Sequence, residues 1–223
     1  MQRFPITLVD GRFHIGGFPD AVKVIATTPL AEGLSRQCAD MVLHHSDLKF
    51  AQDCLAALSI AQATEPVTAE ALWRCAVTHY CKCFGTQGKT RARLPYEKIF
   101  PVGLPQEVHR HFMFLRNKHI AHDENLWTQA TPMAILAAAG KTPKIEEVVC
   151  TNITAVTREP IGFSNLSSLL AGALSWVESR IDELCEQVKV ELEKHPYEVL
   201  LAQPDPKPYY AAKAEDVSKP RQQ

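Results

Sequence analysis

Apolar and polar residues alternate across residues 6–15, on either side of the dipeptide Asp10-Gly11. Asp-Gly tolerates the positive φ angles of a type I′ turn, so this stretch predicts a small antiparallel hairpin, ended by Gly16, Gly17 and Pro19. The period then changes from two to about 3.6. Thr28-Pro29 reads as an N-cap followed by proline at the first helical position. From there Leu34, Met41, Leu48, Ala51, Leu55 and Leu58 build one apolar stripe, and Gly33 leaves its starting point open. Glu65-Pro66 breaks this helix. Thr68 is expected to cap a second, with Leu72, Ala76, Tyr80 and Phe84 on its buried face and Gly85 as its stop.

Residues 85–104 read as a loop rich in Gly, Pro and basic residues. Pro105 opens a third helix with Val108, Phe112 and Leu115 inward, ending near His122. Residues 133–139 and 148–157 are strand-like and joined by Gly140-Lys141-Thr142-Pro143, which predicts an antiparallel hairpin inserted between the third and fourth helices. Ser164 is expected to cap the fourth helix. Its core positions are Leu166, Leu170, Ala173, Val177, Ile181, Leu184, Val188 and Leu192, and Pro196 ends it. Beyond Gln203 the prolines 204, 206, 208 and 220 among polar residues predict a disordered tail. The expected architecture is mainly α: a four-helix bundle of two long outer and two shorter inner helices, carrying two hairpins. Residues 1–27 form an N-terminal hairpin extension, 28–196 the helical domain with its β-hairpin insertion at 127–158, and 197–223 the tail.

Composition narrows the class. At 223 residues, 46% hydrophobic and 22% charged, the chain suits one large soluble domain ahead of two small ones. No run approaches the roughly 18 apolar residues of a membrane helix, and no basic segment followed by an apolar one marks a secretory signal. Neither a membrane nor an extracellular site is expected. The seven cysteines form no CxxC pair and read as reduced, mostly buried thiols of a cytoplasmic protein. A formal charge of −1 excludes a generally basic nucleic-acid binder and leaves room for a local basic site. One such stretch exists: no Asp or Glu occurs from residue 71 to 96, whereas Lys82, Lys89, Arg91 and Arg93 do. These four could track an RNA backbone, or form a solvated loop.

Candidate chemistry concentrates in Leu115-Arg116-Asn117-Lys118-His119-Ile120-Ala121-His122-Asp123. A guanidinium holds phosphate bidentately, and histidine is the side-chain type suited to proton transfer near neutral pH. His109, His111, His119 and His122 are four of the nine histidines in the chain. On an ideal helix His119, three residues on, shares the face of Arg116, while His122, six on, points away. Unwinding near Ala121, or a second subunit, would bring His122 into play. The plain structural alternative is a histidine favoured by the helix C-terminal dipole and an Arg116 paired with Asp123 or Glu124. Metal binding finds little support. His79-x-Cys81-x-Cys83 and His109-x-His111 diverge around a helix, and Cys75 with His79 makes only two ligands. Gln87-Gly88-Lys89-Thr90 is like the end of a phosphate loop, but Cys83 stands where the upstream glycine belongs. Trp73, Trp127 and Trp176 read as packing aromatics, with Trp127 the one placed to stack on a base.

Arg116-Asn117, five residues and then His122, within the longer string Arg-Asn-Lys-x-x-Ala-His-Asp at the end of a third helix, resembles the HEPN superfamily (higher eukaryotes and prokaryotes nucleotide-binding domains), most of all its abortive-infection branch. The resemblance covers residues 29–195. It implies a metal-independent, cofactor-free ribonuclease acting as a homodimer, with Arg and His of both subunits at a composite cleft. Carried onto this chain, Arg116 would polarise the scissile phosphate, His122 would act as general acid or base, Asn117 would position the cleft and Asp123 would orient His122. His119 and Asp123 remain alternates. A toxin or phage-defence role with an antitoxin partner is implied as well. In one subgroup a tyrosine two residues after the histidine is a modification site; here that residue is Glu124, so such regulation is not implied. The competing readings are a non-catalytic HEPN module that binds RNA or a nucleotide, or acts as a scaffold, and a helical interaction protein without a nucleic-acid role.

Overall fold

The computed structural model describes residues 5–9, 12–18, 21–61, 65–85, 91–122, 126–155, 157, 159–206 and 215. Its elements run β1 (Ile6–Val9), β2 (Arg12–Ile15), α1 (Thr28–Ala61), α2 (Pro66–Lys82), α3 (Tyr96–Ile99), α4 (Leu104–Leu115), a π-helical turn (Arg116–Ile120), β3 (Thr128–Leu136), β4 (Ile145–Thr154), α5 (Pro160–Leu192) and α6 (Tyr197–Leu201). The chain is mainly helical, with two separate two-stranded antiparallel sheets. Among the described residues no helix is long and apolar enough to cross a membrane. The Asp10-Gly11 turn, Pro19, Lys89, Asp123, Glu124 and most of the expected tail lie outside the described residues.

The chain divides into two compact units. The first comprises Met1–Asp47, Gly85–Leu94 and Ala173–Gln223. Here β1 pairs with β2 as expected, Ile6 opposite Ile15 and Val9 opposite Arg12. Gly17, at φ 91°, takes the left-handed conformation that glycine alone adopts without strain. Thr27 rather than Thr28 is the residue before the first helical one of α1: its carbonyl accepts from the Leu30 and Ala31 amides at 3.2 and 2.9 Å, and its Oγ1 accepts from Ser35 Oγ at 2.8 Å. A kink at Ala31 (φ −137°, ψ 47°) lies two residues before Gly33.

Three polar residues of α1, spaced as one helical face, are buried in this unit: Asp40, His44 and Asp47. Each holds the segment around Ala92. Arg91 Nη1 donates to Asp47 Oδ2 at 2.8 Å, the Ala92 amide donates to Asp40 Oδ2 at 3.2 Å, and His44 Nε2 donates to the Ala92 carbonyl at 2.7 Å. Burial pushes His44 down to about 4, with the Arg91 charge adding to it, while the hydrogen bond to Ala92, Asp40 and Asp47 act in the opposite sense. The Arg91 side chain is 16% exposed and Asp47 10%. Removing one partner strands the other charge, so Arg91→Ala is expected to destabilise the fold by about 3 kcal/mol in urea melts. A loss below about 1 kcal/mol would show the pair to be peripheral.

In the same unit α5 buries Ala173, Val177, Ile181, Leu184 and Val188 along the expected stripe. The chain does not become a tail at residue 197. It forms α6, and Lys23 Nζ donates to the carbonyls of Leu201 and Gln203 at 2.8 and 2.6 Å. A lysine on the last carbonyls of a helix satisfies orphaned acceptors, and the Ala26 amide adds a bond to the Pro204 carbonyl at 3.0 Å. Residues 197–206 therefore belong to the folded unit.

The second unit comprises Leu48–Phe84 and Pro95–Gly172. Leu48, Ala51, Leu55 and Leu58 of α1 are buried as expected. In α2 the deep position belongs to Trp73, with Leu72 only half-buried. Trp73 Nε1 donates to Thr157 Oγ1 at 3.1 Å, and a Cβ placed on Gly162 would stand 3.5 Å from its ring. Both expected helix caps are corrected. The α2 helix starts at Pro66, with Glu65 as N-cap residue and Thr68 inside the first turn, its Oγ1 donating to Glu65 Oε2 at 2.8 Å. The α5 helix starts at Pro160, leaving Ser164 within it. In each case proline at the first helical position, with φ already set, moved the start upstream of the hydroxyl residue. The expected loop 85–104 contains the single turn α3.

The β3–β4 hairpin is present with shifted bounds, Thr128 opposite Thr154 and Leu136 opposite Ile145. Its base extends to Trp127, whose carbonyl accepts the Ala155 amide at 2.7 Å.

Candidate functional site

The second unit carries the Arg-Asn…His motif at the end of α4. Its inward stripe, His109, Phe112 and Leu115, is buried against the aromatic core. His109 shares a 2.7 Å hydrogen bond with Tyr80 Oη through Nδ1 and stacks on Tyr96, centroids 4.7 Å apart. Burial pushes His109 down to about 4. It is a core histidine.

After Leu115 the helix widens. The Ala121 amide donates to the Arg116 carbonyl at 2.9 Å, five residues back instead of four. Turns of this π type occur mostly as single insertions inside α-helices, frequently at functional sites. The extra residue voids the ideal-helix comparison, because faces beyond it no longer follow 3.6 residues per turn. His119 lies inside the turn and is buried, its Nδ1 without a hydrogen-bond partner among the described residues. Its ring meets Trp127 edge-on at 5.8 Å, and Trp127 also contacts His111 at 6.2 Å.

Arg116 begins the turn, half-buried, with Nη1 donating to Asn117 Oδ1 at 2.9 Å. That bond holds the guanidinium and the amide as one oriented pair. Its charge reaches Cys81, where burial pushes the thiol up and Arg116 opposes the shift. Cys81 itself donates to the Phe112 carbonyl at 3.4 Å, which ties α2 to the helix carrying the motif. His122 follows the turn and is exposed.

The four histidines of this region therefore do not form a cluster. His109 is in the core, His119 is beneath Trp127, and His111 and His122 are exposed. Among the described residues no hydrogen bond joins Arg116 to His122 within the chain. Lys82 is exposed in this unit, and Arg93 is exposed in the other. Arg91 is committed to Asp47 and leaves the set of cations presented to a ligand. Among the described residues, no three His, Cys, Asp or Glu side chains gather where a metal ion could be held. Sequence reasoning missed Trp127 as the cover of His119, and the only signal was its position five residues after the motif. Comparison with protein-family models, with curated proteins and with solved structures found no match.

Proposed function

We propose that this chain is a HEPN-type, metal-independent endoribonuclease, its helical body a four-helix HEPN-like bundle, acting in the cytoplasm as a homodimeric toxin or phage-defence effector. The observation that carries this reading is the π-turn, which starts at an Arg116 oriented by Asn117 and ends beside an exposed His122. In this mechanism Arg116 binds the scissile phosphate through its guanidinium and stabilises the charge that builds on the phosphoryl oxygens. His122 takes the proton of the 2′-OH, and that oxygen attacks phosphorus. The 5′-oxygen leaves with a proton from a second acid, for which the partner subunit's His122 is the candidate. The products are a 2′,3′-cyclic phosphate and a 5′-hydroxyl. Asn117 positions the guanidinium, and Lys82 extends the backbone contact. Incubation with tRNA, with the new ends read for cyclic phosphate, tests the proposal.

One observation favours a second reading, an RNA- or nucleotide-binding module without cleavage: within one chain His122 does not reach Arg116 by a hydrogen bond. Both readings expect binding that weakens steeply between 50 and 200 mM salt, by about tenfold or more if two or three phosphates are neutralised. Binding that is absent or indifferent to salt would remove both.

A further inference from the structure

Helical spacing puts Cys38 and Val42 on one face of α1, and Cys185 and Val188 on one face of α5. Both faces belong to the first compact unit and line the same cleft there. Cys38 Sγ and Cys185 Sγ lie 3.8 Å apart and share a hydrogen bond that either thiol could donate. The cleft is open and mainly apolar, with a volume of about 540 Å³, and Ala39 and Leu43 complete the wall around the two sulfurs. Arg36 also reaches it, but is paired with Glu32 at 2.8 Å. The remaining cysteines are placed differently. Cys54, Cys81 and Cys83 are buried, and the thiols of Cys81 and Cys83 donate to the carbonyls of Phe112 and His79 at 3.4 and 3.5 Å. Cys75 and Cys150 are exposed on α2 and β4.

Two properties give this contact its chemistry. The first is reach. A disulfide holds its sulfurs about 2.05 Å apart, so a movement of about 2 Å, shared between two side chains, brings these two to bonding distance. The second is a difference in access and proton affinity. Cys185 is exposed and Cys38 is half-buried. Burial, with Cys185 adding to it, pushes the Cys38 thiol up to about 11, so Cys38 keeps its proton near neutral pH. An oxidant entering the cleft meets Cys185 first, and Cys38 stands behind it as the resolving thiol.

We infer that Cys38 and Cys185 form a redox-active dithiol whose substrate is a small soluble disulfide of the glutathione type. The Cys185 thiolate attacks one sulfur of the oxidant, forming a mixed disulfide and expelling the first glutathione, which takes up a proton. Cys38 then gives its proton to solvent and attacks the Cys185 sulfur. The mixed disulfide breaks, the second glutathione leaves and is protonated, and the new bond joins α1 to α5. Two protein thiols lose two electrons and two protons, and one disulfide gains them to become two thiols. The pair lies in the first unit and the Arg116 motif in the second, so the inference stands whether or not the chain cleaves RNA.

The test incubates the full-length reduced chain with millimolar glutathione disulfide, quenches it in acid and alkylates the remaining thiols under denaturing conditions. Peptide mass spectrometry is expected to find Cys38 joined to Cys185 within one chain, with no glutathione on either. Glutathione taken up by exposed Cys75 or Cys150 is read separately on their own peptides. Cys38→Ser is expected to stop at the mixed disulfide and keep one glutathione on Cys185. Cys185→Ser is expected to oxidise Cys38 about tenfold more slowly, since the exposed attacking thiol is gone. The bond closes a separation of 147 residues, so oxidised wild type is expected to melt about 10 °C above Cys38→Ser treated in the same way. Cys38 and Cys185 left free, a mixed disulfide that persists in the wild type, or a bond from either residue to another cysteine or another copy would overturn the inference. So would undiminished oxidation of Cys38 in Cys185→Ser, or a melting temperature that falls on oxidation.

Discussion

Acidification from pH 7.5 to 4.5 is expected to destabilise the protein by about 5 kcal/mol and to lower its melting temperature by about 10–20 °C. His44 and His109 are responsible, one in each compact unit. Burial holds both down to about 4, against about 6.5 in the unfolded chain. The folded state keeps them neutral. The unfolded state takes up their protons as pH falls below about 6.5, so their contribution is complete above that value. It is lost progressively down to about pH 4, and further acidification costs nothing more from these groups. A depression of this size corresponds to about 3 kcal/mol for each fully buried histidine, a large share of a typical 5–15 kcal/mol stability. Calorimetry at one-unit pH steps reads it. Replacing His109 by Gln keeps a polar group towards Tyr80, removes one of the two titrations and is expected to halve the slope. A melting temperature flat between pH 7.5 and 4.5 would mean that both rings are accessible to protons in the folded state.

The second large effect follows from the proposed ribonuclease function and is on RNA cleavage. His122→Ala is expected to lower the rate by about a thousandfold, the usual weight of a positioned acid or base, while leaving the melting temperature within about 2 °C because the side chain is exposed. Arg116→Ala is expected to cause a comparable loss with only modest destabilisation, since Arg116 ends the buried stripe instead of filling it. Arg116→Lys keeps the charge and loses the bidentate fork, so most of the activity should still go. His119→Ala is expected to behave in the opposite way. It removes a buried ring from beneath Trp127, costs stability and leaves the chemistry of His122 in place. Single-turnover rates and thermal melts on the same four variants separate these outcomes. Full activity in His122→Ala combined with none in His119→Ala would transfer the proton-moving role to His119.

The apolar stripes of α1 and α5 were legible in the sequence because each is long and strictly periodic, and so were both hairpins. Helix starts were less so. Thr68 and Ser164 looked like caps, yet Pro66 and Pro160, already set for the first helical position, open their helices earlier. The buried face Asp40-His44-Asp47 has helical spacing, but nothing in three polar residues at that spacing signals burial. What makes it internal is Arg91 and Ala92, more than 40 residues away. The motif itself was legible as residue types and not as geometry. An ideal helix set His119 beside Arg116, whereas the π-turn and Trp127 bury His119 and leave His122 exposed. Four of the nine histidines lie on one short segment, and the tertiary packing of Tyr80 and Tyr96 puts His109 in the core.

The most direct measurement is cleavage of tRNA and total RNA in EDTA by purified wild-type protein and His122→Ala, with the ends analysed. Cleavage by the wild type that leaves 2′,3′-cyclic phosphates and falls about a thousandfold in the variant is the predicted result. No cleavage by well-folded, dimeric wild type, or equal cleavage by both proteins, would contradict a ribonuclease built on Arg116 and His122.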